Sequence, residues 1–244
     1  MCCKKPRFQL ENKNVFITGG SKGIGKETVK LLLNEGSNVY SISRTPSGIK
    51  HEKLFEYLCD LSTLDNLRSM LFLHDIPKID VLINNIGYNP GVKCFEKYTE
   101  EEIDKCIILN ITSHLYFLRK LSPKKVVFVN SMLGLVGVNE NALYCASKAF
   151  IKSFNDSLRN ENVDCYIIHP SKVDTEMFNE IKDIAYNRKE IIAETIVKDI
   201  KFNKKIRYVP FYVRFIPFIR KILPVCLFDG LMRFLFKCVK KNKE

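Results

Sequence analysis

Short apolar runs alternate with longer segments whose apolar residues recur three and four positions apart. The stretches 14–18 (NVFIT), 38–43 (NVYSIS), 56–60 (EYLCD), 80–85 (DVLINN), 125–130 (KVVFVN) and 164–170 (DCYIIHP) have strand length and composition. Between them, 23–36, 64–74, 99–121 and 142–160 carry the spacing of helices with one buried face. A strand–helix alternation of this length predicts right-handed crossovers and a parallel sheet of about seven strands, covered by helices on both faces. The expected fold is therefore α/β and doubly wound. The body is assigned to residues 1–205, and 206–244 form a C-terminal tail of different character.

That tail changes the reading of charge. The 244-residue chain has a formal net charge of +12, but 207–244 holds nine Lys/Arg against two Asp/Glu, a net of +7. The body is left with an ordinary surface, and without a recognition motif or basic repeat nucleic acid is not an expected partner. Within 207–239, eight aromatics are interleaved with Arg214, Arg220, Lys221, Arg233 and Lys237. The longest uncharged run there, Ile222 to Phe228, is seven residues, and Pro217 and Pro224 interrupt any single helix. A bilayer span needs about 20 residues. Such a segment suits the headgroup region of an anionic membrane; the alternative is that it covers a substrate cleft or forms a dimer contact. The nine cysteines show no CxxC pair or ligand spacing, so free thiols and no metal site are expected. The N-terminal residues contain no apolar stretch of signal-peptide length. The expected location is cytoplasmic, extending to the cytosolic face of a membrane such as the endoplasmic reticulum.

The densest local pattern is TGGSKGIG at 18–25, where the first strand meets the first helix. Free N–H groups and the positive end of a helix can face a pyrophosphate there, and glycine lets the backbone turn and approach it. A glycine-rich turn alone can be merely a tight connection. Four further patterns follow: NNIG at 84–87, Asn110 in the long helix, Ser131 after the fifth strand, and YCASK at 144–148 thirteen residues later. Together with DL at 60–61, Pro170 and Thr175, they make the chain from about Asn14 to Thr175 resemble the short-chain dehydrogenase/reductase family, a Rossmann-type fold.

The resemblance implies catalytic Asn110, Ser131, Tyr144 and Lys148. It implies cofactor contacts from Thr18, Gly19, Ser21, Lys22, Gly23, Ile24 and Gly25, from Asp60 and Leu61, from Asn85 and Gly87, and from Pro170, Val173 and Thr175. Tyr144 and Lys148 would also touch the cofactor. Four residues apart on a helix, these two project from one face. A nearby ammonium should lower the phenol's pKa from about 10 and let it exchange a proton with a carbonyl or alcohol oxygen. Ser131 could hold the same oxygen, while Asn110 would anchor a water behind the lysine. Ser171 stands where the family often has glycine, which alters the backbone beside the expected carboxamide site. His51, His74 and His114 are expected at surface or edge positions, and His169 in packing.

At the end of the second strand, where NAD enzymes commonly carry an acid, the chain has Ser43 and then Arg44. A guanidinium there can grip a 2′-phosphate, with Lys22 as a second cation, so NADP(H) is the expected cofactor. The reduced nicotinamide pool of the cytosol makes reduction of a ketone the expected direction, and the apolar tail suggests a lipid substrate of the 3-ketosphinganine or 3-ketoacyl type. The 3-ketoacyl-CoA and 17β-hydroxysteroid enzymes, and the 3-ketosphinganine reductases, look similar in detail. A soluble small-carbonyl or hydroxysteroid enzyme and a catalytically silent NADP(H)-binding protein remain the alternatives. Residues 176–190 would form a lip over the substrate, and a homodimer or homotetramer is expected.

Overall fold

The computed structural model describes residues 7–175 and 187–237. Seven strands form one parallel sheet: β1 (Asn14–Thr18), β2 (Asn38–Ser43), β3 (Leu54–Leu58), β4 (Val81–Asn84), β5 (Lys125–Val129), β6 (Cys165–Pro170) and β7 (Ile206–Val209). Their order is β3-β2-β1-β4-β5-β6-β7. The direction of winding reverses between β1 and β4, and the crevice outside the strand ends at such a point is where ligands of open α/β sheets sit.

Period-two alternation divides the core between the faces. On β1, Val15 and Ile17 point into one cluster and Phe16 into the other. The first cluster receives Val29 and Leu32 of α1 (Gly23–Asn34) and Ile192, Ile196 and Ile200 of α6 (Lys189–Phe202). The second receives Phe117 of α4 (Ser113–Leu121) and Ile151 and Leu158 of α5 (Ala142–Asn160). Because both faces are covered, the central strands read as continuous apolar runs rather than alternating ones.

The observed bounds depart most from the predicted ones in four places. Strand β3 lies two residues earlier; it is an edge strand, only partly buried, and its pattern is correspondingly weak. The helix expected at 64–74 breaks into α2 (Leu64–Arg68) and a 3₁₀ turn at Leu71–His74. Residues 99–121 form α3 (Glu100–Ile107), a π turn at Ile108–Thr112, and α4. The seventh strand begins at residue 206, so the first four residues of the segment set apart as the tail complete the sheet. It is held by Arg207, whose guanidinium pairs through Nε and a terminal nitrogen with the buried Asp199 of α6. Beyond it lie a 3₁₀ turn (Phe211–Phe215), α7 (Ile216–Ile222) and α8 (Val225–Lys237). No helix among the described residues is long and apolar enough to cross a membrane.

Candidate active site

The glycine turn is built by close approach. Gly19 and Gly23 have φ of 72° and 55°, a region that side chains disfavour. A Cβ on Gly25 would lie 2.0 Å from the Gly19 carbonyl oxygen, and one on Gly20 would lie 2.2 Å from Ser41 Oγ. Asn85 fastens this turn to the end of β4: its Nδ2 donates to the carbonyl oxygens of Thr18 and Gly19 at 3.0 and 3.1 Å. Thr18 Oγ1 accepts from the backbone N–H groups of Asn85 and Ile86, each at 3.0 Å. The Asn85 side chain is thus a strut of the cradle, and Gly87 lies just beyond it. Helix α1 starts without a side-chain cap and with no acid in its first turn, while Ile24 packs on the core. An uncapped, acid-free helix end behind a glycine cradle fits a dinucleotide pyrophosphate.

The neighbouring loops close around this turn. Thr45 Oγ1 donates to Ser21 Oγ at 3.3 Å, which ties the loop after β2 to the cradle; Arg44, next to Thr45, and Lys22, next to Ser21, are both exposed. Asp60 follows β3 and is engaged locally, its carboxylate accepting from Ser62 N at 3.0 Å. Leu61 is fully buried in the second core cluster, so its side chain packs instead of lining a surface. Pro170 ends β6 and Val173 is buried; Thr175 Cγ2 would lie 3.4 Å from a Cβ on Gly23. Val173 also bridges to Asn187, whose Nδ2 donates to Ser171 Oγ at 2.7 Å. The chain before the expected lip is therefore tied to Asn187 within it, while its residues 176–186 lie outside the described residues.

The expected proton-transfer residues meet at the carboxyl end of β5. Tyr144 and Lys148 are buried on one face of α5, with Lys148 Nζ 5.6 Å from the centre of the Tyr144 ring. Lys148 Nζ donates to Val129 O at 3.4 Å. Ser131 is hydrogen-bonded to the Tyr144 side chain. Its Oγ accepts from Leu133 N at 3.2 Å, which leaves its own proton to donate. Asn110 lies fully buried in the π turn, accepting from Tyr88 N at 2.7 Å and donating to Tyr88 O and Ser147 Oγ, both at 2.9 Å. Its amide therefore clamps the segment after β4 to α5.

The family model for short chain dehydrogenase matches residues 13–185, which contain the cradle and all four of these residues. The chain belongs to the short-chain dehydrogenase family. The family's chemistry is oxidoreduction between CH–OH and C=O groups. An uncharacterized oxidoreductase of Saccharomyces cerevisiae, TDA5, is 30% identical over 193 residues, 71% of this chain and 59% of that protein. The 3-ketodihydrosphingosine reductase of Dictyostelium discoideum is 28% identical over 218 residues, covering 72% of this chain and 65% of its own length. The chain thus spans less than two thirds of either relative. A short chain dehydrogenase of Burkholderia cenocepacia, solved in complex with NADP, superposes with a TM-score of 0.77 at 20% identity, covering 88% of this chain and 95% of that one.

For this family member the electrostatics correct one expectation. Burial pushes the Tyr144 phenol well above its ordinary pKa, and the hydrogen bond with Ser131 only partly offsets it. The same burial brings the Lys148 ammonium down to about 8, so the lysine is a weaker local charge than its sequence position suggests. Tyr144 is held as a phenol at neutral pH, the form that gives a proton. His114 also departs from expectation: it is fully buried, with Nε2 3.0 Å from Ile86 O. His169 packs as expected, stacked on Tyr208 at 5.2 Å with Nδ1 3.2 Å from Ser131 O.

Sequence reasoning missed three supports. Asn130 Nδ2 donates to Lys148 O at 3.1 Å, and Gly134 lets the Ser131 loop lie against α5, a Cβ there falling 2.7 Å from that same oxygen. The third is Phe228 of α8, buried with Leu133, Val136 and Tyr144. Gly134 was legible as a glycine three residues beyond Ser131; Phe228 was not, since its partners lie far away in the chain. Among the described residues no group of three or more His, Cys, Asp or Glu could hold a metal, and their six cysteines are free thiols.

Proposed function

We propose that the protein is an NADPH-dependent reductase that converts a ketone on a long-chain lipid, of the 3-ketosphinganine or 3-ketoacyl type, to a secondary alcohol. The observation that carries this reading is the convergence of Ser131, Tyr144 and Lys148 in one buried place, on the sheet whose first crossover holds an uncapped glycine cradle. Tyr144, held protonated, donates to the carbonyl oxygen as it gains charge, and Ser131 would turn the proton it now shares with Tyr144 toward that oxygen. Lys148 then favours the phenolate that remains, and Asn110 keeps α5 in register with the segment after β4. A nicotinamide bound in the crevice would supply the hydride. Thr18, Gly19 and the start of α1 would hold its pyrophosphate. Arg44 and Lys22 favour a 2′-phosphate over a bare ribose.

Two features support a lipid. Tyr144 is packed in an apolar cluster, with Leu133, Val136, Val138 and Phe228 buried in it and Met132, Ile216, Leu223 and Met232 partly so. Relatives named as 3-ketodihydrosphingosine reductases occur in Dictyostelium and in Bacteroides thetaiotaomicron, the latter 26% identical over 211 residues, 80% of this chain and 77% of its own length. The test is oxidation of NADPH and of NADH against 3-ketosphinganine, 3-ketoacyl thioesters, ketosteroids and small ketones. Turnover of a long-chain ketone with NADPH is expected. Tyr144→Phe should lower kcat by at least about 10²-fold while NADPH binding persists. Activity confined to small ketones, or indifferent to Tyr144, would overturn the reading.

A further inference from the structure

Ten of the eighteen exposed large apolar side chains among the described residues fall between Phe211 and Phe234. They include Phe211, Tyr212, Phe218, Ile222, Val225 and Phe234, each at least 60% exposed. The same helices turn a different face inward, where Phe228 is 4% exposed within the cluster around Tyr144. The outer face is therefore not an unfolded remnant; it belongs to helices already docked by their other side. Exposed apolar side chains concentrated in this way mark a contact with something outside the chain.

We infer that this outer face of α7 and α8 seats the protein on an anionic lipid bilayer, parallel to its surface, with the site's apolar wall next to the headgroups. Charge selects that occupant. Arg214, Arg220, Lys221 and Arg233 are all exposed among the apolar side chains, and Asp229 is the single acid between 211 and 234. A second copy pairing through this face would set four cations against the same four, because a two-fold contact uses the same patch twice. An anionic headgroup layer instead satisfies every one of them and accepts the aromatic and aliphatic side chains just beneath. Length excludes a span: 13 residues of α8 reach only about 20 Å, against a hydrocarbon core of about 30 Å. In sequence, Lys240, Lys241 and Lys243 continue the same charge.

This inference does not depend on which ketone is reduced. The test is flotation of the full chain with phosphatidylcholine vesicles, with and without phosphatidylserine. Binding should be at least about tenfold stronger to the anionic vesicles. It should weaken as salt rises from about 0.1 to about 1 M and the screening length falls from about 10 to about 3 Å. Arg220→Glu with Lys221→Glu should lose that preference, and Phe218→Ser with Ile222→Ser should lose flotation altogether. Melting temperature and turnover of a water-soluble ketone should stay unchanged in both variants. Flotation indifferent to phosphatidylserine would overturn the inference. So would a chain that stays in the aqueous phase, or one that dimerises in a way the same substitutions abolish without binding vesicles.

Discussion

His114 and His169 are the residues whose burial has the most direct thermodynamic consequence. Desolvation is the first cause for both, and it lowers their pKa values from 6.5 to about 3 and about 4. Lys148 presses His114 further down, whereas contacts with Ile86 and Ser131 pull the two back up. In the unfolded chain each would take a proton near pH 6.5, so the unfolded state binds more protons throughout the window below that value. The stability they confer is complete above about pH 6.5 and falls as the pH drops toward 4. Between pH 7 and 5 the loss is about 2 kcal/mol for each, or roughly 4 kcal/mol together. For a chain of this size that is a fall of roughly 10 °C in melting temperature. Replacing both histidines with glutamine should flatten the curve across this range; a wild-type curve already flat there would contradict the assignment. Helical periodicity could not foresee His114, because a histidine on such a helix reads equally well as a solvent-facing group. His114 follows the π turn at Ile108–Thr112 and faces the segment after β4, with Nε2 3.0 Å from Ile86 O.

At the scale of elements, the site depends on the Ser131 loop lying flat on α5. Gly134 is where the two backbones come closest. An added methyl would meet Lys148 O at 2.7 Å, Lys148 C at 2.9 Å and Asn130 Nδ2 at 3.0 Å. Two of these three are backbone atoms, so the loop itself must move. Gly134→Ala should cost about 1–3 kcal/mol of stability as overpacking. Lifting Ser131 away from Tyr144 should lower kcat by about 10–10²-fold, with NADPH affinity near that of the wild type. Equal loss of kcat and cofactor affinity would instead locate the damage in the whole fold. The central elements were legible because β1, β2 and α5 carry uninterrupted patterns and have the observed bounds of Asn14–Thr18, Asn38–Ser43 and Ala142–Asn160. The π turn was not, since an extra residue in a helix leaves the apolar spacing almost intact. Strand β7 was missed because Arg207 interrupts its four residues, and what secures it is a carboxylate eight positions earlier, Asp199.

The molecule as a whole joins two kinds of construction. The two sheet-facing clusters are formed by the body, and neither includes a residue beyond Val209. The third cluster combines Leu133, Val136, Val138, Tyr144 and Cys145 with Phe228, flanked by Ile216, Leu223 and Met232. The C-terminal helices therefore meet the body at the site itself. Phe228, 4% exposed, is the α8 side chain most deeply buried there among the described ones, and truncating a buried phenylalanine costs about 3–5 kcal/mol where the loss is global. Here it should be largely local, because the sheet does not need α8 for its own core. Phe228→Ala should leave the main melting transition within a few degrees of wild type and leave NADPH binding unchanged. It should speed amide hydrogen exchange in α7 and α8, whose local opening now requires less free energy. The wall beside Tyr144 would be lost at the same time, so KM for a long-chain ketone should rise by about tenfold or more while small ketones are turned over as before. A uniform drop in melting temperature with unchanged KM would mean that the tail is an ordinary part of the core. The split expected here would make it a replaceable wall attached to a self-sufficient sheet.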